Sequence, residues 1–143
     1  MFNNVLVTVD LGAEASWTKA LPQAVQLVKA SGGSLHVITV VPDFGSSLVS
    51  GFFPEDFKEK ALAEANEKLQ ALVKANVPAG ITTEAHIHYG ALHEQVLACI
   101  EKTSPDLVVM ASHSPNKMRE FLVGSQADRV VRHSPVSVLV VRG

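Results

Sequence analysis

The chain contains a single cysteine, few aromatic residues and no excess of either charge. Aromatic residues make up 6% of its 143 positions, and 12 lysines and arginines stand against 14 aspartates and glutamates, for a formal net charge of −2. Proteins that bind duplex nucleic acid carry a clustered basic surface, which this charge balance does not favour. We therefore expect no nucleic-acid partner.

The presence of one cysteine, Cys99, argues against a disulfide-rich secreted protein. One cysteine cannot build a disulfide framework, so the composition favours a reducing compartment, the cytoplasm. Cys99 lies in the stretch LHEQVLACI, at helical spacing with Val96 and Ile100. We expect it to be a buried and chemically inert core residue.

Long apolar runs and targeting signals are also missing. One of the longest runs, VSVLVV, begins at Val136 and ends at Val141, far short of the roughly 20 residues that span a bilayer. The opening stretch MFNNVLVTVD has no basic start and no small-residue cleavage site. We expect no membrane insertion, no signal peptide and one domain over residues 1–143.

Three common catalytic or nucleotide-binding fingerprints are absent. The sequence has no G-x-x-x-x-G-K-[ST] and no G-x-G-x-x-G after its first apolar run, which disfavours a P-loop NTPase and a Rossmann dehydrogenase. It also lacks the G-x-S-x-G elbow of serine hydrolases. We assign no catalytic residues.

Five short apolar runs alternate with segments of helical periodicity. The runs predict strands at 5–9 (VLVTV), 35–41 (LHVITVV), 81–88 (ITTEAHIH), 105–111 (PDLVVMA) and 136–141 (VSVLVV). Helices are predicted near 21–28, 62–73 and 91–102 and after Gly124. This order predicts an α/β fold, a doubly wound five-stranded parallel sheet with helices on both faces.

The third run alternates apolar and polar residues. Glu84, His86 and His88 fall on one side of it, which predicts an edge strand with that side exposed. The strand order is then 3-2-1-4-5. His86 and His88 could bind a metal as a pair, but no other cysteine, histidine or aspartate joins them in the sequence, and structural zinc sites have about four ligands.

The predicted order places a topological switch between strands 1 and 4, where open α/β sheets bind ligands beyond the carboxyl ends of the strands. Asp10 ends strand 1, and ASHS at 111–114 ends strand 4. Gly124 and Ser125 precede the helix QADRVVRH, whose unpaired N–H groups favour an anion. A Gly-Ser pair in isolation is more often only a helix cap, and His113 could bond a phosphate or face solvent.

The stretch from Ala111 to Ser125 resembles the nucleotide-binding signature of the universal stress protein family, G-x-x-G, nine residues, then G-[ST]. Ala111 and Ser114 take the places of the first two glycines, and Gly124 and Ser125 form the final pair. The opening NVLVTVD and the closing helix and strand also resemble the family, so the resemblance extends from Asn4 to Arg142.

This resemblance implies a Rossmann-like fold of the adenine nucleotide alpha hydrolase type and an ATP-binding, nucleotide-responsive regulatory homodimer in the stress response, with slow ATP hydrolysis at most. ATP, ADP or AMP is the implied ligand. Asp10 would lie near the ribose and any Mg²⁺, and Val40 or Val41 near the adenine. Ser114 and Gly124 to Gln126 would surround the phosphates, with Val136 and Ser137 nearby. The full set of implied nucleotide-binding residues is Val9, Asp10, Leu11, Val40, Val41, Met110, Ala111, His113, Ser114, Gly124, Ser125, Gln126, Val136 and Ser137.

Two alternatives remain open. Ala111 and Ser114 could close the pocket and leave a dimerisation module without nucleotide, or Asp10 could hold Mg²⁺ in a small nucleotidyl or phosphoryl transferase. The last strand is an apolar edge, a liability unless another chain pairs with it, so we expect a C2 homodimer through Val136 to Val141. The stretch at 43–54, DFGSSLVSGFFP, is either a connecting loop or a flap that contacts a partner.

Overall fold

The computed structural model describes residues 2–42, 56–112 and 125–142, with the Ser125 side chain excluded. A short 3-10 helix (Glu14–Ser16) follows the first strand. The other elements, in chain order, are β1 (Asn4–Thr8), α1 (Ala20–Ser31), β2 (Ser34–Val41), α2 (Phe57–Asn76), β3 (Thr82–Tyr89), α3 (Leu92–Thr103), β4 (Leu107–Ser112), α4 (Ser125–His133) and β5 (Ser137–Arg142).

The five strands form one parallel sheet in the order β3-β2-β1-β4-β5. The predicted fold class and strand order are both confirmed. Strand boundaries differ from the prediction by one or two residues, as at β1, which begins at Asn4. In the centre of the sheet, Val7 pairs with Val37 of β2 on one side and with Val109 of β4 on the other.

Alternate residues of β1 enter two separate apolar cores. Val5 and Val7 pack with residues of α1 and α2, such as Leu21 and Leu69. Leu6 packs on the opposite face with residues of α3 and α4. Successive side chains of a strand point to opposite faces, so a strand covered on both faces is apolar throughout. Complete burial of a valine or leucine side chain contributes about 1.5–3 kcal/mol.

The outer strand β3 departs from the prediction on one face. Glu84 is exposed, but His86 is only 8% exposed and His88 is half-buried, so the expectation of a solvated histidine face is wrong. The reason is that the fully buried Cys99 of α3 and His36 of β2 lie against these histidines. The predicted burial of Cys99 is confirmed.

Among the described helices, none combines the length and the apolar character needed to cross a bilayer.

A close backbone approach joins the connection between α1 and β2 to the start of the chain. The Ser34 N–H donates to the carbonyl oxygen of Asn3 at 2.8 Å. Gly33 lies directly over the same carbonyl, so a Cβ atom at position 33 would come within 1.9 Å of the Asn3 oxygen. Only glycine fits here without displacement of the backbone.

We predict that Gly33→Ala destabilises the protein by about 1–3 kcal/mol, because the new methyl group would force the Asn3 backbone away from its present position. Urea denaturation followed by circular dichroism measures this change. Gly80→Ala is the matched control, since a Cβ there meets nothing within 4 Å, and we expect it to change stability by less than about 0.5 kcal/mol. Equal unfolding midpoints for the two variants would contradict the packing that we describe at Gly33.

Candidate functional site

The carboxyl ends of β1 and β4 lie side by side at the point where the chain changes direction across the sheet. From β1 the strand order proceeds outward through β2 to β3, whereas β4 and β5 are added on the other side. The helix after β1 packs on one face and the helix after β4 on the opposite face. The edge at which the strand order changes direction is the one where ligands of open α/β sheets bind.

Asp10 lies in a turn that its own backbone and side chain stabilise. Its N–H donates to the Ser16 hydroxyl oxygen at 2.8 Å, and the Gly12 N–H donates to Asp10 Oδ1 at 3.0 Å. The Ser16 hydroxyl donates in turn to the Ala13 carbonyl oxygen at 2.7 Å. Asp10 itself is exposed. The turn thus fixes the position of a solvent-facing carboxylate, with Oδ2 unpaired among the described residues.

Apolar residues flank this carboxylate. Val9 continues the pairing of β1, with its N–H donating to the Ile38 carbonyl oxygen at 2.9 Å. Val9 and Val41 are buried, while Leu11 and Val40 are half-buried. Val9 and Leu11 pack on the α1 side of the sheet, which Val41 shares by the alternation of β2, and Val40 packs on the α3 side. Apolar residues therefore occupy both faces at the ends of β1 and β2.

Small and buried residues end β4. Met110 is 3% exposed and its side chain belongs to the core beneath α3. Ala111 is half-buried, pairs with Val141 of β5 and packs toward the core on the α1 side. The structure places Val9, Asp10, Leu11, Val40, Val41, Met110 and Ala111 at the carboxyl edge of the sheet, and their contact with a nucleotide stays a prediction.

Gln126 takes part in a contact that the sequence did not predict. Its Oε1 atom accepts a hydrogen bond from the His93 backbone N–H at 3.3 Å and lies 3.3 Å from His93 Nδ1. His93 is the second residue of α3, so Gln126 binds one of the unpaired N–H groups at the start of that helix. The contact ties α4 to α3, and Arg129 Nη1 lies 3.5 Å from the same histidine nitrogen.

Val136 and Ser137 do not reach the carboxyl edge. Ser137 pairs with Leu107 at the start of β4, whereas Val141 pairs with Ala111 near its end. A parallel strand rises about 3.3 Å per residue, which separates the two pairs by roughly 13 Å. The expected position of Val136 and Ser137 beside the phosphates is corrected accordingly, because parallel pairing places the beginning of β5 at the amino edge.

The remaining predicted residues lie outside the described part of the chain. These are His113, Ser114, Gly124 and the side chain of Ser125, together with the stretch at 43–54. A cleft of about 230 Å³ is present at the amino edge, between α1 and the start of β3, where Lys29, Gly33 and Pro78 line it. It contains none of the predicted ligand-binding residues.

Two solved structures have the same fold. One is a universal stress protein in complex with cAMP, 23% identical, with a TM-score of 0.63 and coverage of 99% of this chain and 97% of that one. The other is the universal stress protein from Archaeoglobus fulgidus in complex with dAMP, 17% identical, with a TM-score of 0.69 and coverage of 97% of each chain. At these identities the similarity concerns the fold alone.

Sequence comparison extends over the whole chain. Residues 1–142 match the model of the Universal stress protein family. Universal stress protein G of Escherichia coli O157:H7 is 28% identical over 144 residues, which cover 99% of this chain and 100% of that protein. The extent of the family match shows that this chain belongs to the universal stress protein family.

Proposed function

We propose that this protein binds an adenine nucleotide at the carboxyl edge of β1 and β4 and acts as a nucleotide-responsive regulatory homodimer in the stress response. The observation that carries the proposal is the fixed, solvent-facing carboxylate of Asp10 at the topological switch of the sheet. Two proteins of the same fold are complexes with cAMP and with dAMP. We further propose that the protein acts in the cytoplasm.

The contacts of Asp10 suit a ribose or a metal-bound phosphate. Oδ1 already accepts the Gly12 N–H, and Oδ2 of this exposed residue has no partner among the described residues. A ribose hydroxyl could donate to Oδ2. Mg²⁺ could bind there instead, since Mg²⁺ in nucleotide sites is held by one or two carboxylates together with phosphate oxygens. The residues present therefore fit an ATP·Mg²⁺ ligand, in which the ion would neutralise phosphate charge.

The end of β2 suits the adenine ring. Val40 is half-buried on the α3 side of the sheet, whereas Val41 is buried on the α1 side, so Val40 is the accessible side chain of the two. A flat, apolar base gains free energy when such side chains replace water on its face. A base beside Val40 and a sugar beside Asp10 would point the phosphates toward β4 and the start of α4, where backbone N–H groups are unpaired within the helix.

A regulatory role is favoured over fast catalysis. Turnover of a phosphoanhydride requires an oriented nucleophile or a base within hydrogen-bond reach of the attacking water. In the described part of the turn, the carboxylate of Asp10 is held by the Gly12 N–H and the Ser16 hydroxyl by backbone groups. We assign these groups to binding, and ATP hydrolysis at this edge is expected to be slow.

We predict that Asp10→Asn weakens ATP·Mg²⁺ binding by about tenfold to a hundredfold. The amide keeps an oxygen for the Gly12 N–H but loses the charge, and hydrogen bonds to charged groups contribute about 1.5–3 kcal/mol. Isothermal titration calorimetry measures the affinity, after mass spectrometry of any nucleotide that is purified with the protein.

Glu14→Gln is the matched control for this experiment. Glu14 is an exposed acid in the same connection, and we expect its substitution to change the affinity by less than about twofold, because exposed charges are screened by solvent. Undetectable ATP binding by the wild-type protein would overturn the proposal. Rapid ATP turnover that Asp10→Asn abolishes would instead favour a transferase or ATPase.

The homodimer is proposed to form through β5. This strand is an edge of the sheet, and its Leu139 side chain is 37% exposed. Val131 on the neighbouring α4 is 45% exposed. An apolar edge with unpaired backbone groups is stabilised when a second copy pairs with it.

We predict that the wild-type protein has twice the 15.3 kDa mass of one chain in light scattering at micromolar concentration, and that Leu139→Lys is monomeric. The lysine would place two like charges at the centre of a two-fold interface. Ala79→Lys adds the same charge at an exposed position before β3 and should remain dimeric. A monomeric wild-type protein would contradict this interface.

A further inference from the structure

Three side chains of the kind that bind transition metals meet where α3 approaches β3. His86 and His88 are two residues apart on one strand and therefore project to the same face. Cys99 reaches this face from α3. One ligand atom from each of the three residues lies within 4.8 Å of the others. Donors of a tetrahedral zinc ion bound at about 2.0–2.3 Å lie about 3.3–3.8 Å apart, so the three side chains would close by up to about 1–1.5 Å around an ion.

A hydrogen bond already orients His88 for metal binding. Its Nδ1 lies 3.0 Å from the amide oxygen of Gln95. That oxygen can only accept a hydrogen bond, so Nδ1 carries the proton. In a neutral imidazole the lone pair is then on Nε2, and this is the nitrogen that can bind an ion. Metal-bound histidines are commonly held in this way, by a hydrogen bond from the second ring nitrogen.

His86 has a comparable partner on the neighbouring strand. His36 Nδ1 lies 2.8 Å from His86 Nε2, and Glu84 Oε2 lies 3.8 Å from His36 Nδ1. When His86 Nε2 donates to His36, its other ring nitrogen is available for the ion. We assign His36 to positioning His86. The Glu84 side chain is 67% exposed, so its carboxylate is hydrated at the rim of the group.

Zn²⁺ binds histidine as the neutral imidazole and cysteine as the thiolate. Burial lowers the pKa of His86 and raises the pKa of the Cys99 thiol. Binding of a divalent cation at Cys99 would replace the thiol proton with a metal–sulfur bond and release that proton to water.

We propose that His86, His88 and Cys99 bind one Zn²⁺ ion between β3 and α3, with the fourth coordination position open to water. Two imidazoles and one thiolate are ligands that Zn²⁺ prefers. The site is separate from the carboxylate of Asp10, and the proposal does not depend on nucleotide binding. The ion would fasten α3 to the outer strand of the sheet.

The test uses reduced, full-length protein without a histidine tag and no nucleotide. Competition with a chromogenic chelator measures Zn²⁺ stoichiometry and affinity, and Co²⁺ replaces Zn²⁺ as a spectroscopic probe. We expect one ion per chain and a thiolate-to-cobalt charge-transfer band. His88→Ala and Cys99→Ser should each weaken Zn²⁺ binding by about tenfold or more, and Cys99→Ser should also remove the band. The exposed His133→Gln is the control and should change neither measurement.

Circular dichroism of each variant without metal establishes that it is folded, and His88→Ala tests the site at a half-buried position if Cys99→Ser unfolds. Failure of the wild-type protein to bind Zn²⁺ would overturn the proposal. Binding that survives both substitutions but is lost in Glu84→Ala would also overturn it, since the ion would then be held by His36, Glu84 and His86, which form the alternative group of three.

Discussion

The double burial of β1 is the constraint on which the rest of the structure depends. This strand is hydrogen-bonded to β2 and to β4, and Val5, Leu6 and Val7 are completely buried between helices on both faces. Because both faces must be covered, the chain has to leave β1 toward one face and return to β4 from the other. The topological switch at the carboxyl edge is the result of that requirement, and the turn that fixes Asp10 follows β1 directly at this switch.

The fold could be predicted because its signals are local. Parallel strands buried on both faces read as continuous apolar runs, and the alternation in 81–88 identified β3 as an edge, from which the order followed. The carboxyl-edge position of Asp10 and Ala111 followed from that order. Contacts between distant segments could not be predicted in the same way. No local pattern in the sequence indicates that Cys99 of α3 lies near His86 or that Gln126 binds the start of α3. Nor does one show that the parallel register places Ser137 at the amino edge.

The proposed zinc ligands illustrate the same limit. His86 and His88 are visible as a pair in the sequence, but Cys99 lies on the next helix and His36 on another strand. Their proximity results from the crossover of α3 and from the pairing of β2 with β3, in which Ile38 is the register partner of His86. A pattern search that requires ligands at short spacing finds two of these residues. The third is a cysteine whose helical spacing and burial are typical of an ordinary core residue.

The contact between Gln126 and His93 gives α3 two attachments of different kinds. Its first turn is held by α4, and its middle carries Cys99 against β3. A helix of twelve residues moves largely as a rigid rod, so a displacement at its start changes the distance between Cys99 and His86. A ligand that reorients α4 and an ion bound by Cys99 would therefore both act on the position of α3. Any coupling between their binding free energies is equal in both directions.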